Sequence, residues 1–199
     1  MTDLLQKTLA GDYNSFLEIV ECLKFGINYM PLDIFEFYHQ NALDKNNHAE
    51  CLVGHLYYNG IGTEKNLIAS LKWFKLSAMN GNHNAQNFLG GLYFCGSEVN
   101  QDYNEALKWF IFSAEQGNRS ALNNLGIVYQ YGKGVKQDFE EAFKYYKLSA
   151  EQGHHYAQKY LGDLYFNGNG VIQDYNEAFK WYKLSAKNGN NDALEKIKL

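Results

Sequence analysis

The chain has 199 residues, 46% of them hydrophobic, with 18 basic and 22 acidic side chains and a formal net charge of −4. That apolar share fills a core and excludes wholesale disorder, and the weak acidity argues against a nucleic-acid binder, which needs a basic face. One proline beside 18 glycines, 16 tyrosines and 13 phenylalanines predicts a mostly helical protein whose elements end at glycine rather than proline.

The N-terminus carries an acid at Asp3 and has no apolar stretch of signal-peptide length. No window reaches the roughly 20 apolar residues of a transmembrane helix. Cys22, Cys51 and Cys95 are odd in number and unrelated in spacing, so they imply no disulfide framework but small thiols in a reducing compartment. These features lead to the expectation of a cytoplasmic protein with no membrane insertion. Residues 12–24, with Phe16, Leu17, Ile19, Val20 and Leu23, read as a helix, followed by a turn near Gly26 and Pro31. Residues 31–44 read as a second helix carrying Phe37, Tyr38 and Ala42. Together residues 1–48 form an N-terminal cap and degenerate repeat.

From there the sequence repeats every 36 residues. An anchor alanine recurs at Ala49, Ala85, Ala121, Ala157 and Ala193. Four residues on come Val53, Leu89, Leu125 and Leu161, each followed by a glycine: Gly54, Gly90, Gly126 and Gly162. Tyr57, Tyr93, Tyr129 and Tyr165 continue the unit, then Gly60, Gly96, Gly132 and Gly168. In the second half Trp73, Trp109, Tyr145 and Trp181 precede Phe74, Phe110, Tyr146 and Tyr182. Ala78, Ala114, Ala150 and Ala186 then lead to a closing glycine at Gly81, Gly117, Gly153 and Gly189. Agreement at this many phases defines a tandem array.

Each unit reads as two helices. Apolar residues at offsets 0, 4 and 8 from the anchor make one stripe at helical spacing. First helices are predicted near 47–58, 83–94, 119–130 and 155–166, capped by Asn46, Asn82, Asn118 and, once, His154. Second helices are predicted near 67–79, 103–115, 139–151 and 175–187. Asp102…Glu105, Asp138…Glu141 and Asp174…Glu177 open three of them at capping-box spacing, whereas Asn66 and Ala69 leave the first box incomplete. The glycine inside each first helix costs roughly 1 kcal/mol against alanine. Four such glycines at one phase point to close approach of the aromatic pair of the second helix. A single helix pair cannot cover its apolar faces, so neighbouring units must stack.

The pattern A-x3-L-G-x2-Y-x2-G-x-G-V-x2-D-Y-x2-A-x2-W-Y-x3-A-x2-G is similar to the Sel-1-like repeat, a relative of the tetratricopeptide repeat. Units 121–156 and 157–192 fit almost throughout, unit 85–120 departs at Glu98, and unit 49–84 departs at Asn66, Leu67 and Ser70. Residues 193–199 lie past the last full unit, and 191–199 read as a truncated C-terminal capping helix. The resemblance implies an all-α, right-handed α-solenoid, an α/α superhelix of about ten or eleven helices here. It also implies a scaffold that binds other proteins, often as an adaptor; the residues themselves lead us to expect no catalysis, no cofactor, no metal and a monomer.

Catalytic patterns fail on inspection. The pairs Gly60/Gly62, Gly132/Gly134 and Gly168/Gly170 never extend to G-x-G-x-x-G. Gly126 to Lys133 resembles a Walker loop one residue too long, with Gly134 in place of Ser/Thr. The six histidines contain no H-E-x-x-H, and no cysteine pair has zinc spacing. Cysteine-rich secreted members of the family are linked to β-lactam binding or hydrolysis, but here the regular cysteines are absent. None of the eight serines has lysine three residues later. Regulation of an enzyme by stabilising it is a further alternative. Lys72, Lys108, Lys144 and Lys180, with Lys75, Lys147 and Lys183, form a stripe along the second helices that reads as a solvated outer face.

Helical phase supplies the candidate binding face. With the anchor at 0°, offsets 4 and 8 fall at about 40° and 80°, and offsets 2, 6 and 9 at about 200°, 240° and 180°. By the resemblance, that opposite side lines the concave surface. It presents Cys51, His55 and Tyr58, then Asn87 and Phe94 with Asn84 alongside. In the later units it presents Asn123, Ile127 and Gln130, then Lys159, Asp163 and Phe166. Amides such as Asn87 and Asn123 can donate to and accept from a peptide backbone, and Tyr58, Phe94 and Phe166 can anchor a partner or fill gaps between helices.

Overall fold

The computed structural model describes residues 2–12, 15 and 31–197. Among these it contains eleven α-helices and no strand. They are α1 (Thr2–Leu9), α2 (Pro31–Leu43), α3 (Asn47–Asn59), α4 (Leu67–Met79), α5 (His83–Cys95), α6 (Tyr103–Glu115), α7 (Arg119–Tyr131), α8 (Phe139–Glu151), α9 (His155–Asn167), α10 (Tyr175–Lys187) and α11 (Asn191–Ile197). The fold is an all-α solenoid of helix-turn-helix repeats. Apart from Asp12 and Ser15, the helix expected over 12–24, Cys22 with it, and the turn at Gly26 lie outside the described residues. Pro31 opens α2 rather than standing in a turn, as its fixed φ and missing N–H suit the first helical position.

Residues 1–89 and 90–199 form two compact units. In the first, Ile34, Tyr38 and Ala42 of α2 bury against Ala49, Leu52, Val53 and Leu56 of α3. Thr8 of α1 shares a hydrogen bond with the Tyr38 hydroxyl. In the second unit, Ala106, Phe110, Leu125 and Val128 form one cluster. Ala142, Tyr146, Ala150, Ala157, Leu161 and Leu164 form another. Ala193 of α11 is fully buried.

Local chemistry sets the helix ends. Asn46 Oδ1 accepts from the His48 and Ala49 amides, Asn118 Oδ1 from Ser120 and Ala121, and His154 Nδ1 from Ala157. Asp102, Asp138 and Asp174 cap the second helices in the same way. The capping boxes do not close. Each cap residue donates its own N–H to a tyrosine carbonyl, of Tyr93, Tyr129 or Tyr165, so the glutamates are free to pair forward with Lys108, Lys144 and Lys180. Each of α3, α7 and α9 ends at a glycine in the left-handed region, Gly132 having φ 63°.

The glycine inside each first helix has a steric cause. A Cβ on Gly54 would come within 2.9 Å of the Phe74 ring, and one on Gly126 within 2.5 Å of the Tyr146 ring. The second aromatic of each pair therefore sits directly on the first-helix backbone. A serine one residue before each Ala78-phase alanine adds a polar fastening that the 36-residue pattern contained but the apolar reading passed over. Ser77, Ser149 and Ser185 are fully buried and donate to the carbonyls of Asn47, Arg119 and His155 at 2.6–2.7 Å. Gln86 and Gln158 reach back to the Ala78 and Ala150 carbonyls, both at 3.1 Å, and so tie one repeat to the preceding one.

Candidate functional site

In the first unit the expected open face is partly closed. Cys51 is only 2% exposed, and burial pushes its thiol up to about 12. It lines, with Thr8, His48, Asn82 and Asn84, a cavity of about 10 Å³, room for one water. His55 lies edge-on to Phe74 at 4.8 Å and to Phe88 at 5.0 Å, and burial lowers its pKa to about 4. Tyr58 is half-buried against Phe88, with Lys65 Nζ 5.5 Å from its ring centroid. Asn84 and Asn87 are half-buried. Helical phase relates a side chain only to its own helix pair. Residues of the following first helix, Phe88 and Asn84 among them, cover much of what it left open.

In the second unit Phe94 is half-buried, edge-on to Tyr103 at 5.4 Å, and Phe166 meets Tyr175 in the same way at 5.1 Å. Both rings pack on the first residue of the following second helix while keeping part of their surface open. Ile127 packs against the Ala142–Leu164 cluster. Gln130 Oε1 accepts from the Tyr146 hydroxyl at 2.6 Å. Lys159 and Asp163 form a partly buried ion pair at 2.7 Å, with Lys159 Nζ 5.0 Å from the Tyr160 ring centroid. Asp163 also accepts from the Tyr182 hydroxyl at 2.9 Å. Burial, reinforced by the Asp163 charge, raises the Tyr182 pKa.

Asn123 stands apart. Its side chain was expected on an open face, yet the residue is only 6% exposed, and its Oδ1 is buried with no hydrogen-bond partner. Trp109 Nε1, on a residue that the repeat pattern marks only as one of an aromatic pair, is the other such atom among the described residues. Native interiors satisfy most buried polar atoms, with protein groups or with ordered water.

Among the described residues no cluster of histidine, cysteine and carboxylate side chains could hold a metal ion. No described helix is long and apolar enough to cross a membrane. The lysine stripe is exposed, and its pairs with Glu105, Glu141 and Glu177 lie on the surface, where solvent screens them and they add little to stability.

Comparison with known proteins decides the lineage. The Sel1 repeat family matches residues 47–82, 83–118, 119–154 and 155–190. The chain belongs to the Sel1 repeat family. Among solved structures, a Sel1 repeat protein from Oxalobacter formigenes is similar at 32% identity and a TM-score of 0.82, over 92% of this chain and 76% of that one. A protective antigen of uropathogenic Escherichia coli strains, displaying an SLR fold, is 37% identical with a TM-score of 0.78 over 82% of this chain. The match covers 35% of the antigen's own chain, so this Sel1 repeat protein spans about a third of its length. An immunity protein from Pseudomonas aeruginosa is 22% identical with a TM-score of 0.60, over 90% of this chain and 67% of that one. That likeness shows the fold alone. No curated protein matches. Sel1 repeat proteins are commonly protein-interaction scaffolds.

Proposed function

We propose that this Sel1 repeat protein is a non-catalytic scaffold, a cytoplasmic monomer that binds a protein or an extended peptide on the face of its first helices. Residues 1–48 and 193–199 serve as caps of the array. The observation that carries the site is the orphaned acceptor of Asn123. Leaving such an atom unpaired costs roughly 1–3 kcal/mol, a cost removed when the side chain, buried in the unbound protein, turns outward to accept a partner's peptide N–H. Lys159 occupies the same phase of the next first helix, and its pair with Asp163 offers charge of both signs. Phe166 keeps part of its ring open for an apolar anchor, as Tyr58 and Phe94 do.

Affinity capture with mass spectrometry identifies the partner, and titration of that partner tests the site. Asn123→Ala removes one hydrogen bond worth about 0.5–1.5 kcal/mol, so affinity should fall roughly two- to tenfold while the fold is kept. Lys108→Ala with Lys144→Ala on the second helices is the control and should change little. If the lysine pair abolishes binding and Asn123→Ala has no effect, the partner sits on the second helices and the assignment is overturned.

A further inference from the structure

The outward surface of α4 breaks the pattern of the other second helices in three coordinated ways. At the phase of Asn104, Glu140 and Asn176 it carries Ile68, and at the phase of Glu115, Glu151 and Lys187 it carries Met79. Both are open to solvent, Ile68 by 72% and Met79 by 76%, and Leu76 is exposed by 43%. At 100° per residue these three side chains fall within about 80° of one another, over roughly 16 Å of helix, and Lys72 and Lys75 lie within about 20° of that arc. The third departure concerns charge. In α6, α8 and α10 the lysine at the Lys72 phase is neutralised by a glutamate three residues earlier: Lys108 by Glu105, Lys144 by Glu141 and Lys180 by Glu177. In α4 that glutamate is Ala69, and the helix contains no acid at all. Lys72 and Lys75 are exposed, with no carboxylate partner among the described residues.

An isolated exposed apolar side chain is ordinary. Three in line along one helix, at phases where the sister repeats put polar or charged groups in two of three cases, make a surface of different character. We propose that the outer face of α4 is a second docking surface that receives an amphipathic helix of a partner protein, with carboxylates flanking the partner's apolar stripe. The partner's acids would supply in trans the neutralisation that Glu105, Glu141 and Glu177 supply in cis. Its apolar residues would cover Ile68, Leu76 and Met79, the last a flexible thioether suited to adaptable contacts. An anionic membrane fits less well. Polybasic lipid-binding segments carry roughly four to eight lysines or arginines, and the whole chain is net negative. This surface is on different helices from the Asn123 site, so either can fail without the other.

The test uses the full chain and two stapled helical probes of about 18 residues, long enough to hold a helix. Both carry one leucine stripe, flanked by glutamates in one probe and by lysines in the other. By fluorescence anisotropy the acidic probe should bind at least tenfold more tightly than the basic one, and more weakly as salt rises. Met79→Glu and Ala69→Glu, which restore the sister repeats' own residues, should each weaken it about tenfold. Neither should move the melting temperature, and Asn123→Ala should leave probe binding unchanged. Equal binding of the two probes, no binding of either, or indifference to both substitutions overturns the proposal. So does a dimer in sedimentation that Met79→Glu dissolves, which would assign the surface to a second copy. Cosedimentation with phosphatidylserine vesicles that Met79→Glu abolishes would assign it to a membrane and overturns the proposal as well.

Discussion

Gly90 and Gly91 are neighbours in one helix, and the structure gives their replacement by alanine opposite signs. A Cβ on Gly90 would stand 2.7 Å from Cδ1 and Cε1 of Phe110 and 3.2 Å from the Ala106 carbonyl oxygen. Carbon atoms rest about 3.5–4.0 Å apart, so the ring must retreat by about 1 Å. Phe110 is only 2% exposed, which leaves it little room. Overpacking of a filled core costs about 1–3 kcal/mol, and this site belongs near the upper end. Against that stands about 1 kcal/mol of helix propensity gained by replacing glycine. Gly90→Ala should therefore lose about 2 kcal/mol. A Cβ on Gly91 meets nothing within 4 Å, so Gly91→Ala should keep the propensity gain of about 0.5–1 kcal/mol. For a chain of this size a kilocalorie moves the melting temperature by about 2–4 °C. Thermal unfolding followed by circular dichroism should thus drop by about 4–8 °C for the first variant and rise by about 1–4 °C for the second. Phe110→Leu, which shortens the obstructing side chain, should couple favourably with Gly90→Ala. Equal stability of the two alanine variants would refute the close-approach account of Gly54, Gly90, Gly126 and Gly162.

His55 makes the first unit sensitive to acid. Its pKa in the folded protein is about 4 against an ordinary 6.5, so the neutral ring stabilises the fold fully above about pH 6.5, and that contribution is lost as pH falls towards 4. A shift of this size on a buried group corresponds to roughly 3 kcal/mol. His55→Phe should flatten that part of a urea-derived stability profile, and identical profiles would reject the assignment. The thiols differ in reach: Cys51 is buried and Cys95 exposed. In a Cys22→Ser background, Ellman's reagent should label one thiol in the native protein and both in denaturant. Rapid native labelling of Cys51 would show that the first-helix face is more open than the structure has it.

The sequence by itself determined the helices and their order, because the interactions that set them are local. Asp102, Asp138 and Asp174 cap amides two and three residues away, and the second helices span the predicted residues to the last position. First helices run one residue further, to Asn59, Cys95, Tyr131 and Asn167, because helical geometry continues up to the left-handed glycine that follows. The close approach at Gly54 and Gly126 was also legible, since a costly residue recurring at one phase demands a shared steric reason. What the sequence did not determine was which side of the first helices stays open. Phase relates a residue to its own helix, whereas in an array each first helix also meets the next. The Phe88 ring beside His55 and the Asn84 side chain beside Cys51 come from 33 residues further along the chain. Only tertiary packing decides how far such side chains reach, and it turned Cys51 and Asn123 from surface positions into buried ones. Packing also encloses Asn123 Oδ1, a property of the surroundings that residue type and spacing do not encode.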